Sequence, residues 1–154
     1  MSYVVRGLDP APYEHLFGLA DEELAERGIV RMTVDSATFP CRVSLTDRAI
    51  GETVLLLNHV SHEVANPYRA SHAIFVAEIA QEPAEYVDRG PPVFERRVLS
   101  LRGFGTDGMM VDAVLAQPDE ADSAIRTLFA DPAVETIHAH NAILGCFSAR
   151  IERN

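Results

Sequence analysis

The chain of 154 residues contains no lysine and no tryptophan, and it has only two cysteines. All thirteen basic residues are therefore arginines, and a guanidinium binds a carboxylate through two parallel hydrogen bonds that an ammonium group cannot make. Biased codon usage explains this composition more simply than selection for anion binding does. Arg42 and Arg102 nevertheless become candidate carboxylate ligands. Cys41 and Cys146 are too few for a cysteine-rich zinc site, and in a reducing compartment we expect free thiols.

The sequence also lacks basic stretches and long apolar segments. Twenty-three acidic residues give a formal net charge of −10, which argues against nucleic-acid and anionic-membrane partners. No apolar run approaches the roughly twenty residues that a membrane-spanning helix needs. The first residues, MSYVVRGLDPAP, lack the basic and apolar regions of a signal peptide, so we expect a cytoplasmic protein. With 47% hydrophobic residues, residues 1–154 are predicted to form one globular domain.

Apolar periodicity predicts an α+β fold with a mainly antiparallel sheet of about seven strands. Two short helices are expected near the N-terminus, one after Pro12 that ends at Gly18 and one capped by Asp21. A longer helix is expected after Asp119, its predicted cap. The candidate strands are residues 3–8, 29–34, 41–46, 52–60, 72–80, 97–104, 108–116, 134–140 and 146–152.

Two motifs match known binding signatures in their residue pattern but not in their structural context. Residues 103–108 fit GxGxxG, but an alternating strand follows them instead of a helix, so we interpret GTDG as a hairpin turn. His59 and His62, three apart on a strand, should point to opposite faces, so only one of them can enter a pocket. His59 shares its face with Leu55 and Leu57, and a packed core histidine is as good an interpretation as a ligand.

The C-terminal strands carry the more informative polar residues. His138 and His140 share one strand face, but no third metal ligand is fixed by spacing, so a structural or exposed pair is the better interpretation. Cys146 alternates with Ser148 and Arg150, while residues 147, 149 and 151 form the expected core face. A thiol near an arginine could be a nucleophile or a redox sensor, although an inert thiol is the simpler reading. Cys41 is expected to be a buried small hydrophobe.

Several segments together are similar to one known family. They are Pro40–Leu45, Glu52–Leu56, Asn66–Val76, Leu101–Phe104, His138–Ala142 and Gly145–Phe147, and the clearest marks are PYR and HxHNA…GC. The chain resembles a bacterial family known only as domain of unknown function 1203. The likeness covers almost the whole chain. It implies a small domain found alone, with no established activity, cofactor or substrate.

Polar residues recur at the ends of predicted strands, and such residues often line a ligand site. The first hypothesis is a small-molecule site for an anionic or carboxylate-bearing ligand, with no metal and with turnover left open. Its catalytic candidates are His138, Asn141 and Cys146, and its ligand-binding candidates are Arg42, His59, Tyr68 and Arg102. One alternative is a non-catalytic dimeric interaction module, in which the polar cluster serves the fold. Another is a mononuclear metal-dependent enzyme that uses His59, His138 and His140. The cofactor stays unassigned.

Overall fold

The computed structural model describes residues 1–79 and 82–154. Its strands form two antiparallel sheets, one of six strands in the order β5-β1-β9-β8-β6-β7 and one of three in the order β2-β3-β4. The α+β class and the antiparallel pairing are confirmed, but the single sheet of about seven strands was wrong. The strands are β1 (Tyr3–Arg6), β2 (Val30–Thr33), β3 (Thr53–His62), β4 (Ala70–Ala77), β5 (Glu85–Val87), β6 (Leu99–Phe104), β7 (Met110–Ala116), β8 (Thr136–Asn141) and β9 (Phe147–Arg153).

The helices lie close to their predicted positions. The first short helix is a 3-10 helix (Glu14–Gly18), and α1 (Asp21–Glu26) follows it. Asp21 is the first helical residue, not the cap, and the Glu23 carboxylate instead accepts the Ala20 backbone N–H at 2.8 Å. The longer helix, α2 (Ala121–Ala130), starts two residues after the predicted cap and packs its apolar stripe on β6 and β7. Among the described residues, no helix is long and apolar enough to cross a membrane.

The GTDG segment is a hairpin turn, as predicted. The Gly105 N–H donates to the Met109 carbonyl, and Gly108 has a φ of 75°, a conformation that favours glycine. Strand β7 follows this turn, so residues 103–108, which match GxGxxG, do not form a dinucleotide-binding loop. The predicted strand 72–80 corresponds to β4, and its last predicted residue, Ala80, lies outside the described residues. Strand β5 was not predicted.

The predicted strand 41–46 is instead a tight turn, which corrects the expected alternation of faces. The Leu45 N–H donates to the Cys41 carbonyl, and Leu45 has a φ of 54°. Cys41 and Val43 enter an apolar cluster with β3 and β4, whereas Leu45 enters the other cluster, beneath α2. The alternating apolar residues thus belong to two different cores, and Arg42 between them is buried as well.

The described strands contain three β-bulges, and those in β3 and β9 change which side chains face each other near the meeting of the two sheets. In β3, Val60 pairs with Ser71 and His62 pairs with Ala70, so Ser61 is an extra residue. In β9, Ser148 is the extra residue, because Ala139 pairs with Ala149 and His140 pairs with Phe147. A bulge reverses the alternation beyond it. The expectations that His59 and His62 point to opposite faces, and that Phe147 shares a face with Ala149, were therefore wrong.

Candidate functional site

Five of the six histidines gather where the two sheets meet. The His62 ring lies 5.0 Å from that of His138, and the His72 ring lies 4.8 Å from that of His140, measured between centroids. The β3 bulge makes the first contact possible by turning His62 toward β8. His138 and His140 do share one strand face, but both are 2% exposed, so they are not a solvent-facing pair.

A cavity of about 550 Å³ opens beside these histidines, and three arginines line it; we call it the arginine cavity. Its walls come from β3 and β4, from the loop before the 41–46 turn, from residues 96–97 and from the β8–β9 hairpin. No Asp or Glu lines it among the described residues. The lining residues are Ala37, Thr38, Pro40, Arg42, Leu56, His72, Ala73, Phe75, Arg96, Arg97, Asn141, Leu144 and Cys146.

Arg42 is the most buried of these cations, with 2% of its surface exposed. Its Nε donates to the Phe147 carbonyl at 2.8 Å, and its Nη1 donates to the Pro40 carbonyl at 2.5 Å. Its Nη2 points at the Cys146 sulfur, 3.2 Å away. No carboxylate pairs with it among the described residues. Burial lowers the pKa of the guanidinium, while the neighbouring Cys146 sulfur opposes that shift.

The sulfur of Cys146 receives two N–H donors. Besides Arg42, the Nδ2 of Asn141 lies 3.4 Å from it. The turn that joins β8 to β9 fixes this pair, because the Asn141 N–H donates to the Cys146 carbonyl and the Gly145 N–H donates to the Asn141 carbonyl. Gly145 has a φ of 77°, which closes the turn tightly. The Asn141 Oδ1 is buried and has no hydrogen-bond donor among the described residues.

The other two arginines of the cavity differ in their partners. Arg97 forms a two-pronged ion pair with Asp47, with N–O distances of 2.6 and 3.0 Å. This pair neutralises Arg97 and connects Asp47, which directly follows the 41–46 turn, to the segment before β6. Arg96 is exposed and has no ion pair with any described residue. The cavity thus carries two arginines, Arg42 and Arg96, without a carboxylate partner.

The histidines beside the cavity are neutral at neutral pH. Burial, helped by the nearby Arg102 charge, lowers the pKa of His140 to about 4, and the same two causes lower the pKa of His72. The Nδ1–H of His140 donates to the Gly145 carbonyl at 3.0 Å, which leaves Nε2 of the neutral ring as an acceptor. His72 lines the cavity and its Nδ1 lies 3.1 Å from the Ser61 hydroxyl.

The three predicted catalytic residues do not line one cavity. Asn141 and Cys146 contact each other, but His138 lines a separate cavity of about 490 Å³ near the β6–β7 turn. Its ring packs edge-on against Phe147 at 5.5 Å and against His62. Burial and the neighbouring His62 lower its pKa to about 3. His140, which was not among the predicted catalytic residues, is hydrogen-bonded to the turn that carries Cys146.

The predicted ligand-binding residues are divided in the same way. Arg42 lines the arginine cavity. His59 is not among its lining residues and contacts the Tyr13 hydroxyl through Nδ1 at 3.2 Å. Tyr68 lies in the loop before β4, 38% exposed, with its ring edge toward Phe104. Arg102 is half-buried on β6 and donates to the Ser100 hydroxyl, so it acts on His72 and His140 through its charge only.

The three-histidine metal site is not supported by this arrangement. His59 bonds to Tyr13, while His138 and His140 belong to two different ring pairs. Throughout the described part of the chain, no group of three or more histidine, cysteine, aspartate or glutamate side chains is placed to hold a metal ion.

Sequence reasoning missed His72, Arg96 and Arg97 as lining residues. His72 lies within a segment that carries the family resemblance, which was an available signal. The Arg96-Arg97 doublet follows a proline-rich break, but its partner Asp47 is about fifty residues away, and periodicity does not reveal such a contact.

The fold and the site define an α+β protein with an arginine-lined cavity beside the seam of two antiparallel sheets. The family model described as "Protein of unknown function (DUF1203)" matches residues 38–153, and the chain belongs to this family. Searches of curated proteins and of solved structures found no significant match. The matched region contains every residue that lines the arginine cavity except Ala37.

Proposed function

We propose that this protein binds a small anionic molecule, such as a carboxylate with an apolar body, in the arginine cavity. One observation carries the proposal: three of the thirteen arginines line a single cavity that no described acidic residue lines, in a chain with a net charge of −10. Guanidinium groups without carboxylate partners attract an anion. The apolar wall, which includes Leu56, Phe75 and Leu144, suits an uncharged body on the ligand.

The burial of each cavity residue indicates its role in binding. Arg42 is fixed by backbone carbonyls and would position the anion, whereas Arg96 is exposed and would contribute attraction at the mouth. The neutral ring of His72 lines the cavity and would form a hydrogen bond with a hydroxyl or amide group of the ligand.

Calorimetric titration with phenylacetate, and with the uncharged phenylacetamide as a shape control, tests the proposal. We expect phenylacetate to bind and phenylacetamide to bind at least several-fold more weakly. Arg96→Gln should weaken phenylacetate binding by up to about fivefold, since an exposed ion pair contributes at most about 1 kcal/mol.

The matched control is Arg27→Gln, which removes the same charge from an exposed position at the end of α1. Equal losses in the two variants would show a general charge effect. Equal binding of the amide and the acid would contradict anion recognition by the cavity.

A second candidate function is self-association, for which the tip of the β8–β9 hairpin provides the observation. Ile143 is 89% exposed and Leu144 is 83% exposed, and adjacent exposed apolar side chains favour a protein contact. A second copy of the chain seated there would lie beside the arginine cavity, because Leu144 also lines it.

Sedimentation equilibrium tests this candidate. We expect the double variant Ile143→Ser/Leu144→Ser to dissociate at higher concentration than the wild type. Ile50→Ser is the control, because Ile50 is 72% exposed in a different loop. A wild type that is monomeric at every concentration reached rules out self-association.

A further inference from the structure

We propose that Cys146 is a site of oxidation by hydrogen peroxide, with its sulfur contacted by N–H donors of Arg42 and Asn141 and converted to a sulfenic acid. Arg42 takes part in both proposals, but this modification needs no carboxylate in the cavity and is tested with hydrogen peroxide alone. A protein that binds no carboxylate would still be oxidised, and the two ideas therefore fail separately.

The first step concerns the charge of the buried guanidinium. A cation removed from water is stable when a negative group lies against it. The described residues supply Arg42 with two carbonyl oxygens and one sulfur, and no carboxylate. The Cys146 sulfur is therefore the one side-chain acceptor that Arg42 contacts among the described residues.

The second step concerns the sulfur itself. Two N–H groups point at it, from Arg42 at 3.2 Å and from Asn141 at 3.4 Å, and donors favour the negatively charged form of an acceptor. The thiolate is the form of cysteine that reacts with peroxides. Cys146 is partly exposed and lines the arginine cavity, so a molecule as small as hydrogen peroxide has room to approach it.

The third step concerns the unpartnered oxygen of Asn141. Asn141 is 92% buried, its amide nitrogen contacts the sulfur, and its Oδ1 has no donor among the described residues. Leaving a buried acceptor unpaired costs about 1–3 kcal/mol. A sulfenic acid adds an O–H group to the same sulfur. This O–H can donate a hydrogen bond to the unpartnered Asn141 Oδ1.

The reaction balances with hydrogen peroxide alone. The Cys146 thiolate attacks one peroxide oxygen, an S–O bond forms, the O–O bond breaks, and hydroxide leaves and takes a proton from solvent. The sulfur loses two electrons and the peroxide gains them. Among the described residues, no histidine nitrogen or carboxylate is hydrogen-bonded to the sulfur. This step needs no such base, whereas an acyl transfer would need a proton donor for its leaving group.

The chain contains its own control cysteine. Cys41 is fully buried, and its sulfur accepts the backbone N–H of Ala77 within the apolar cluster of β3 and β4. A buried thiol in apolar surroundings is unreactive.

The experiment treats the folded protein with hydrogen peroxide at pH 7 in the presence of dimedone, which traps sulfenic acids, and measures both cysteine peptides by mass spectrometry. We expect the adduct on Cys146 and not on Cys41. In the urea-unfolded chain the two cysteines should react at similar rates, and Cys146 should react about tenfold more slowly than in the folded protein. Absence of the Cys146 adduct, or a folded rate no higher than the unfolded one, would overturn the proposal.

Substitutions then test the cause of the reactivity. Asn141→Asp keeps the side-chain shape but replaces a donor with a negative charge next to the sulfur, so trapping should fall about tenfold or more. Arg27→Gln removes a positive charge at an exposed position at the end of α1, outside the arginine cavity, and should leave the rate unchanged. Near-equal rates in wild type and Asn141→Asp, with both shown to be folded by circular dichroism, would show that these donors do not activate Cys146.

Discussion

Arg42 joins two parts of the chain that the sequence keeps about a hundred residues apart. Its backbone N–H donates to the Phe75 carbonyl of β4, while its side chain donates to the Phe147 carbonyl of β9. One residue therefore connects the smaller sheet to the larger one and also faces the cavity. This double role explains why a charged side chain is tolerated at 2% exposure.

Replacement of Arg42 by lysine should lower the free energy of unfolding by about 2 kcal/mol. Lysine keeps the charge, but one ammonium group cannot reach the Pro40 carbonyl, the Phe147 carbonyl and the Cys146 sulfur in the geometry of the planar guanidinium. Urea unfolding followed by circular dichroism measures the change.

Arg96→Lys is the matched substitution for this measurement, because Arg96 lines the same cavity but is exposed. It should stay within about 0.5 kcal/mol of the wild type. A loss in Arg42→Lys no greater than the loss in Arg96→Lys would contradict the structural role of Arg42.

At the scale of elements, the sequence predicted well wherever the determinants are local. The GTDG turn, α2 and the strands on either side of them follow from spacing and turn chemistry within a few residues. Prediction failed where distant segments decide the outcome. Strand β5 was missed because it has only three residues, too few to show an alternating pattern, and it is defined by its pairing with the distant strand β1.

The bulges at Ser61 and Ser148 show how such failures of prediction affect the candidate site. A single extra residue at Ser61 turns His62 toward His138, and one at Ser148 turns Phe147 away from the face of Ala149. Alternation along one strand cannot reveal an extra residue, because the bulge is defined by pairing with a neighbouring strand. The structure brings Cys146, Asn141 and Arg42 into contact, whereas His138 lines a separate cavity.

At the scale of the whole molecule, the seam between the sheets holds neutral histidines in a chain that is otherwise rich in charge. His138 and His140 have pKa values of about 3 and about 4, chiefly because of burial. Burial also lowers the pKa values of His59 and His72. The charged groups that face these rings are Arg42, Arg102 and Arg150, all of which oppose further positive charge.

These shifts predict a protein that loses stability on mild acidification. The pKa of a histidine in the unfolded chain is about 6.5, so the unfolded state takes up protons below that value while the folded state resists them. The stabilisation that the neutral histidines contribute is complete above about pH 6.5. It is lost as the pH falls toward the pKa values of these histidines in the folded protein. Between pH 7 and pH 5, His138 and His140 should each lower the free energy of unfolding by about 2 kcal/mol.

Urea unfolding at pH 7, 6 and 5 measures this loss, and His138→Gln isolates one contribution. Glutamine does not titrate, so the loss between pH 7 and pH 5 should shrink by about 2 kcal/mol even if the variant is less stable throughout. His15→Gln, at an exposed position in the first 3-10 helix, is the matched substitution for this comparison. The comparison uses only the difference between two pH values, so it separates the titration of His138 from its packing against Phe104, Phe147 and His62. An unchanged loss in His138→Gln would mean that the folded protein accepts a proton there as readily as the unfolded chain does, and the seam would then have to admit water or a counter-ion.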